Sequence, residues 1–263
     1  MQDLTEADQT TDALLLDWER WCSALGAQAT AKRLNGCALF ATGVPVPPLN
    51  CVFTARPAVA PAEVAELLDT VAGLGLPHNL EIRPGCRPEV AALARSRGMR
   101  QGASIPLMRR DASQADNRTA VGSPPLVVRE LGADEIGLHA SIASAAFEAP
   151  AAVFAAVITP AVLALPGFHC YVGTAGGQPI TTAVGIVEGN HVGIYNVATL
   201  PEHQGRGFGA AITAHAFRGG FAAGASFAYL QSSDAGFAVY RRLGFRAIES
   251  WEPWVGGTTR GDG

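Results

Sequence analysis

Lysine is nearly missing from this chain. Lys32 is the single one, and every other basic side chain among the 19 is arginine. We read that as a base-composition bias of the genome and attach no chemistry to it. Charged residues make up only 16% and the formal net charge is −4. Such a balance leaves no broad basic footprint, so nucleic acid is not expected as a partner. Cysteine is sparse: Cys22, Cys37, Cys51, Cys86 and Cys170 are an odd number, widely spaced, with no Cys-x-x-Cys. Neither a disulfide framework nor a zinc site follows, so buried free thiols and no bound metal are expected. No apolar run reaches the roughly 20 residues that span a bilayer. The segment Met1–Asp12 is acidic and polar, unlike a secretory leader. The expectation is a soluble, cytoplasmic protein without a membrane partner, and nothing indicates an oligomer.

What is present is a globular composition. Hydrophobic residues make up 48% of 263, enough for one large domain or two small ones. A polar, small-residue stretch, DASQADNRTAVGSPP from Asp111 to Pro125, reads as an exposed connection. It suggests an N-terminal domain over 1–112, a linker over 113–125 and a C-terminal domain over 126–263.

The C-terminal part alternates strand and helix signals. Leu126–Arg129, His169–Val172, Ile180–Val187 and His191–Leu200 read as strands. Asp134–Phe147 reads as a helix, with Ile136, Ala140, Ala143 and Phe147 on one face. Thr159-Pro160 opens a short helix. Glu188-Gly189-Asn190 reads as a hairpin turn. Phe227–Gln231 is a strand, Asp234 caps a helix of about nine residues ending at Gly244, and Phe245–Trp254 is the last strand.

The N-terminal part follows a similar plan. Cys37–Ala41 and Cys51–Ala55 read as paired strands, Pro61–Ala72 and Pro88–Ser96 as helices, and Leu80–Arg83 as a strand. Arg97-Gly98-Met99-Arg100 parallels Leu243-Gly244-Phe245-Arg246, and each precedes a strand-like run. A worn internal duplication accounts for this. The alternative is an unrelated small α/β domain with a coincidental corner.

One segment has no counterpart in the first half: Pro201-Glu202-His203-Gln204-Gly205-Arg206-Gly207-Phe208-Gly209-Ala210. It joins a strand to a helix through glycines. The N–H groups of a first helical turn have no intrahelical partner and sit at the positive end of the dipole. Glycines let that backbone close on a ligand, so the turn suits phosphate. Gly205-x-Gly207-x-x-Ala210 meets the loose dinucleotide fingerprint, with Asp234 as the ribose acid. However, Asp234 lies beyond the usual spacing of about 20 residues, and too little chain follows for a doubly wound sheet. A P-loop is excluded, because no Gly-Lys-Ser/Thr is present.

A second block stands about 30 residues on, Asp234-Ala235-Gly236-Phe237-Ala238-Val239-Tyr240-Arg241-Arg242-Leu243-Gly244-Phe245. Together with Asn196–Thr199 and Gln204–Ala210, it closely resembles the GNAT superfamily of acyl-CoA-dependent N-acetyltransferases. The first block is similar to the family's Gln/Arg-x-x-Gly-x-Gly/Ala pyrophosphate motif. The second is similar to its Asn-x-x-Ala-x-x-Tyr, Leu-Gly-Phe corner. The resemblance covers about Leu126–Pro253, and over the N-terminal part it is only topological. It implies an α/β (α+β) fold, a mostly antiparallel sheet splayed at its centre and flanked by helices, here as two tandem GNAT-like halves.

It also implies acetyl transfer from acetyl-CoA to a primary amine of a small molecule or peptide, directly within a ternary complex and without a metal. The amides of Gln204, Gly205, Arg206, Gly207, Phe208, Gly209 and Ala210 would hold the pyrophosphate. Val197, Ala198 and Thr199 would pair with the pantetheine arm, and Asp234 would lie near the cofactor. Tyr240 matches the family tyrosine that gives a proton to the departing thiolate. The reading beside it is that Tyr240 merely packs with Phe237, and that Arg206 is a solvated surface side chain. Asp234 departs from the family's usual Asn. No carboxylate stands at Gly193-Ile194-Tyr195, where many members carry a Glu. Glu188, His191, His169, Glu148 or a water are substitutes, and no base is assigned. The other function class is a non-catalytic acyl-CoA-binding sensor or assembly protein.

Overall fold

Thr5 opens the first helix. Its Oγ1 accepts from the Asp8 amide at 3.1 Å and the Asp8 carboxylate accepts from the Thr5 amide at 3.3 Å, a reciprocal cap. The helix, α1 (Glu6–Leu25), buries Leu14, Leu15, Trp18, Trp21, Cys22 and Leu25 along one stripe. The computed structural model describes residues 4–114 and 125–257. The expected linker, 113–125, therefore falls largely outside the described residues.

After α1 come β1 (Thr30–Arg33), β2 (Cys37–Ala41), β3 (Asn50–Thr54), α2 (Pro61–Gly73), β4 (His78–Ile82), α3 (Pro88–Ser96), β5 (Arg100–Gln101) and β6 (Ile105–Asp111). Next come β7 (Val127–Glu130), α4 (Ile136–Phe147), α5 (Ala151–Val157), α6 (Pro160–Leu163), β8 (Phe168–Ala175), β9 (Gln178–Glu188) and β10 (His191–Thr199). The chain finishes with α7 (Phe208–Ala222), β11 (Phe227–Gln231), α8 (Asp234–Arg242) and β12 (Arg246–Gly256). It divides into two compact units, Met1–Leu107 with Ile248–Gly263, and Met108–Ala247.

In the first unit the strand order is β1-β2-β3-β4-β12. β1, β2 and β3 are antiparallel, β3 and β4 are parallel over Cys51–Phe53 and Asn79–Glu81, and β12 runs antiparallel to β4. Val52, Val64, Leu67, Leu68, Leu80 and Trp254 meet in its core. Trp251 is fully buried and meets Phe53 edge-on at 6.2 Å. Both tryptophans are thus packing residues. The last strand returns to this unit, whereas the sequence placed it with the C-terminal domain.

In the second unit the order is β7-β8-β9-β10-β11, with β6 beyond β11. β7 through β10 are antiparallel, and β10 and β11 are parallel over His191–Gly193 and Phe227–Tyr229. Val192, Ile194, Ile212, Phe217, Leu230 and Phe245 share a core. The two units repeat one plan. An antiparallel pair leads through a helix to a parallel neighbour, and a second helix ends at a glycine of positive φ, Gly98 (70°) or Gly244 (89°). This is the tandem arrangement that the resemblance implies.

Candidate active site

The site grows out of the place where β10 leaves β11. Their parallel ladder ends at Gly193 and Tyr229, but β10 stays paired with β9 as far as Thr199. Between Tyr195 and Ala198 the β9 register shifts, and Asn196 adopts φ 49°. A bulge re-aims backbone groups; Asn196 and Val197 lie outside both ladders. Thr199 is tied down, with its Oγ1 2.9 Å from Thr181 Oγ1 and its carbonyl accepting from Gln204 Nε2 at 3.1 Å.

A 3₁₀ turn, Pro201–His203, leads into Gln204. Gly205 (φ 72°) and Gly207 (φ 89°) then fold the chain into α7, which starts at Phe208. Only glycine takes such angles without strain. Gly207 is the N-cap residue and offers no side chain, and no acid stands in the first turn. The first helical bond runs from the Ala211 amide to the Gly207 carbonyl at 3.0 Å. The amides of Phe208, Gly209 and Ala210 therefore face outward at the positive helix end. Phe208 is buried and anchors this turn, while the exposed Arg206 lies over its ring at 5.3 Å. A Cβ on Gly209 would stand 3.4 Å from Thr199 Oγ1. The backbone is close-fitting there.

α8 starts on the same side of the unit, following β11. Its cap is Ser233, whose Oγ accepts from the Gly236 amide at 3.2 Å. Asp234 is the first helical residue and exposed, so the cap expected from it belongs to its neighbour. Tyr240, like Phe237, Leu243 and Val197, packs against the α7-side core, and its ring meets Phe245 edge-on at 6.2 Å. Burial pushes its phenol up to about 12, so it stays protonated at neutral pH. A phosphate-ready helix start, a bulged strand end and a protonated phenol thus belong to one unit.

Residues 166–247 match the family model described as acetyltransferase (GNAT) domain. The chain carries a GNAT acetyltransferase domain. Solved structures place the whole chain in the same fold. A GCN5-related N-acetyltransferase from Kribbella flavida is 22% identical, with 98% of each chain covered and a TM-score of 0.71. One from Sphaerobacter thermophilus is 15% identical, with 93% of this chain and 84% of that one covered and a TM-score of 0.61. A tandem GNAT protein from the clavulanic acid biosynthesis pathway is 14% identical over 96% of each chain, with a TM-score of 0.57. No curated protein matches the sequence.

The GNAT domain separates the candidate bases. Glu188 and His191 pair with each other at the start of β10, roughly 20 Å along the strand from Val197. His169 bonds Glu130 Oε1 at 2.8 Å and stacks on Tyr171, whose ring belongs to the α7-side core. Glu148 is the left-handed cap that ends α4. Neither Glu188 nor His191 stands at the bulge, and His169 lies two strands from β10, opposite Gly185. Among the described residues no cluster of three or more His, Cys, Asp or Glu suits a metal, and no helix is long and apolar enough to cross a membrane.

His139, which the sequence did not single out, lies closer. It is fully buried on α4, its Nδ1 2.9 Å from Thr182 Oγ1, and Thr182 stands opposite Ala198. The Thr182 hydroxyl donates to the Tyr171 carbonyl at 2.8 Å, so it accepts from His139 Nδ1–H. Nε2 keeps a lone pair without a partner, and burial pushes the imidazole down to about 4. Tyr195 and Tyr229 were also missed, and their hydroxyls meet at 2.5 Å. Only the pairing of β9, β10 and β11 brings these side chains to the bulge, and no local motif marks them.

Proposed function

We propose that the GNAT domain transfers an acetyl group from acetyl-CoA to a primary amine of a small molecule or peptide, directly, within a ternary complex. The observation that carries this reading is the uncapped start of α7 behind two positive-φ glycines, at the end of a bulged central strand. A diphosphate fits the outward amides of Phe208, Gly209 and Ala210 and the turn Gln204–Gly207, with Arg206 as a nearby cation. Asn196 and Val197 offer backbone groups outside both ladders to an amide-bearing arm, beside Ala198 and Thr199. Asp234 stands at the start of α8, where a donor contact is compatible with its exposure.

When bound, acetyl-CoA supplies the thioester that the amine attacks. Backbone N–H at the bulge would steady the carbonyl oxygen. Tyr240 holds a proton at its hydroxyl and gives it to the departing sulfur. In this reading the second unit supplies the transferase, and the first unit, which takes back the last strand, is a partner half without a glycine turn.

The test is calorimetric titration with acetyl-CoA, followed by mass spectrometry of a primary-amine panel incubated with enzyme and donor. An acetylated amine, made in step with thiol release, is expected. Donor binding without any acetylated amine would sink the transfer reading.

A further inference from the structure

Tyr195 and Tyr229 join the two central strands at the point where they part. Gly193 and Tyr229 are the last parallel partners of β10 and β11. Two residues further on, Tyr195 sends its hydroxyl back across the gap to Tyr229, with the rings 6.2 Å apart at 89°. Val192 and Ile194 pack into the α7-side core. Side chains alternate along a strand, so Tyr195 projects from the opposite face, and so does Tyr229, between Ala228 and Leu230 of that core. Tyr229 is wholly buried, with the rings of Phe227 and His191 at 6.5 and 5.8 Å. Its hydroxyl is therefore fixed in direction. Tyr195 is only partly covered and is the last residue before the bulge.

We propose that the Tyr195 hydroxyl binds the acceptor amine, accepting its N–H, and that Tyr229 is a positioning residue that aims this hydroxyl. The proposal rests on the acetyl-transfer reading and deepens it. An acyl group lying in the splay has a phenol on each side of the sheet, Tyr240 toward the sulfur and Tyr195 toward the nucleophile. A neutral hydroxyl accepts from a neutral amine and does not draw in an ammonium ion as a carboxylate would. The class of acceptor is thus an amine that reaches the site unprotonated.

The experiment uses the full chain and its Tyr195→Phe, Tyr229→Phe and double variants. Acetyl-CoA binding is measured by calorimetry, and transfer by thiol release with hydroxylamine, a small amine largely unprotonated at neutral pH. Donor affinity is expected to stay within about twofold. The loss of one hydrogen bond should raise KM for hydroxylamine roughly tenfold in Tyr195→Phe, with kcat much less affected. Tyr229→Phe should show a smaller rise, and the double variant should match Tyr195→Phe, because both act through one hydroxyl. An unchanged KM in Tyr195→Phe, or effects that multiply in the double variant, overturns the proposal. If the wild type releases no thiol above the uncatalysed rate with hydroxylamine or with any amine of the panel, the transfer reading fails first and takes the proposal with it.

Discussion

Arg83 and Glu249 form a two-pronged ion pair across the first unit, Nη2 to Oε1 at 2.7 Å and Nε to Oε2 at 2.9 Å. The Arg83 side chain is only 2% exposed and also reaches Asp8 at 3.0 Å and the Ala55 carbonyl at 2.6 Å. Trp251 Nε1 donates to the same Glu249 carboxylate at 2.8 Å. One buried guanidinium therefore ties α1, the end of β4 and β12. Burial works to raise the Asp8 carboxyl, but the Thr5 and Arg83 hydrogen bonds outweigh it and hold the group low. Removing one partner leaves a buried charge underpaired, which costs several kcal/mol. Because Asp8 remains, Glu249→Gln should lose about 3 kcal/mol of unfolding free energy in urea. A loss near zero would show that the pair adds nothing to the hold on β12.

His139 sets a pH dependence whose sign is fixed by its burial. An imidazole near 6.5 when unfolded and about 4 when folded takes up protons more readily in the unfolded chain between those values. Stability is therefore full above roughly pH 6.5 and falls as pH drops toward 4, by up to about 3 kcal/mol. His139→Leu removes the titrating group and leaves Thr182 its bond to Tyr171. Urea midpoints measured from pH 7 to 4.5 should fall less steeply in this variant. Parallel slopes for the two proteins would mean that His139 takes no part in acid unfolding.

Some of this architecture was legible in the residues and some was not, for physical reasons. Pro88–Ser96 and Phe227–Gln231 match their elements residue for residue, because Pro at a helix start and a short aromatic run are local signals. The turn at Gln204–Gly207 was legible for the same reason. α1 was overlooked although Thr5-x-x-Asp8 and the Leu14, Trp18, Trp21, Leu25 spacing announce it; the acidic surface of Glu6–Asp12 masked a buried stripe. β12 pairs with β4, some 170 residues earlier, and no local pattern encodes so distant a partner. The cap at Ser233 was hidden by Asp234, since both residue types cap helices well. His139 and the two tyrosines come together only through strand register.

Gly207 should respond differently from other glycines of positive φ. An alanine there meets left-handed strain of roughly 1–2 kcal/mol and sets a methyl beside the outward amides of α7. Gly224 (φ 103°), past the far end of α7, carries the same strain in open space. Gly207→Ala and Gly224→Ala should therefore lose similar stability, but only Gly207→Ala should weaken acetyl-CoA binding, by about tenfold for one spoiled charge-assisted bond. Calorimetry of both variants checks this. Equal affinities would remove the α7 start from the donor site.

Tyr240 supplies the sharpest separation of binding from chemistry. Its ring meets Phe245 and packs against the α7-side core, so phenylalanine should keep the packing and lose only the hydroxyl. The phenol's pKa, pushed up to about 12, keeps the proton in place through the neutral range, so no limb from this group should appear in the rate profile below about pH 11. A positioned acid contributes about 10²-fold at the low end of its range. Tyr240→Phe should therefore bind acetyl-CoA normally and release thiol about a hundredfold more slowly with a saturating amine. If the packing is instead what matters, Tyr240→Phe will match the wild type while Tyr240→Ala loses stability and donor affinity together.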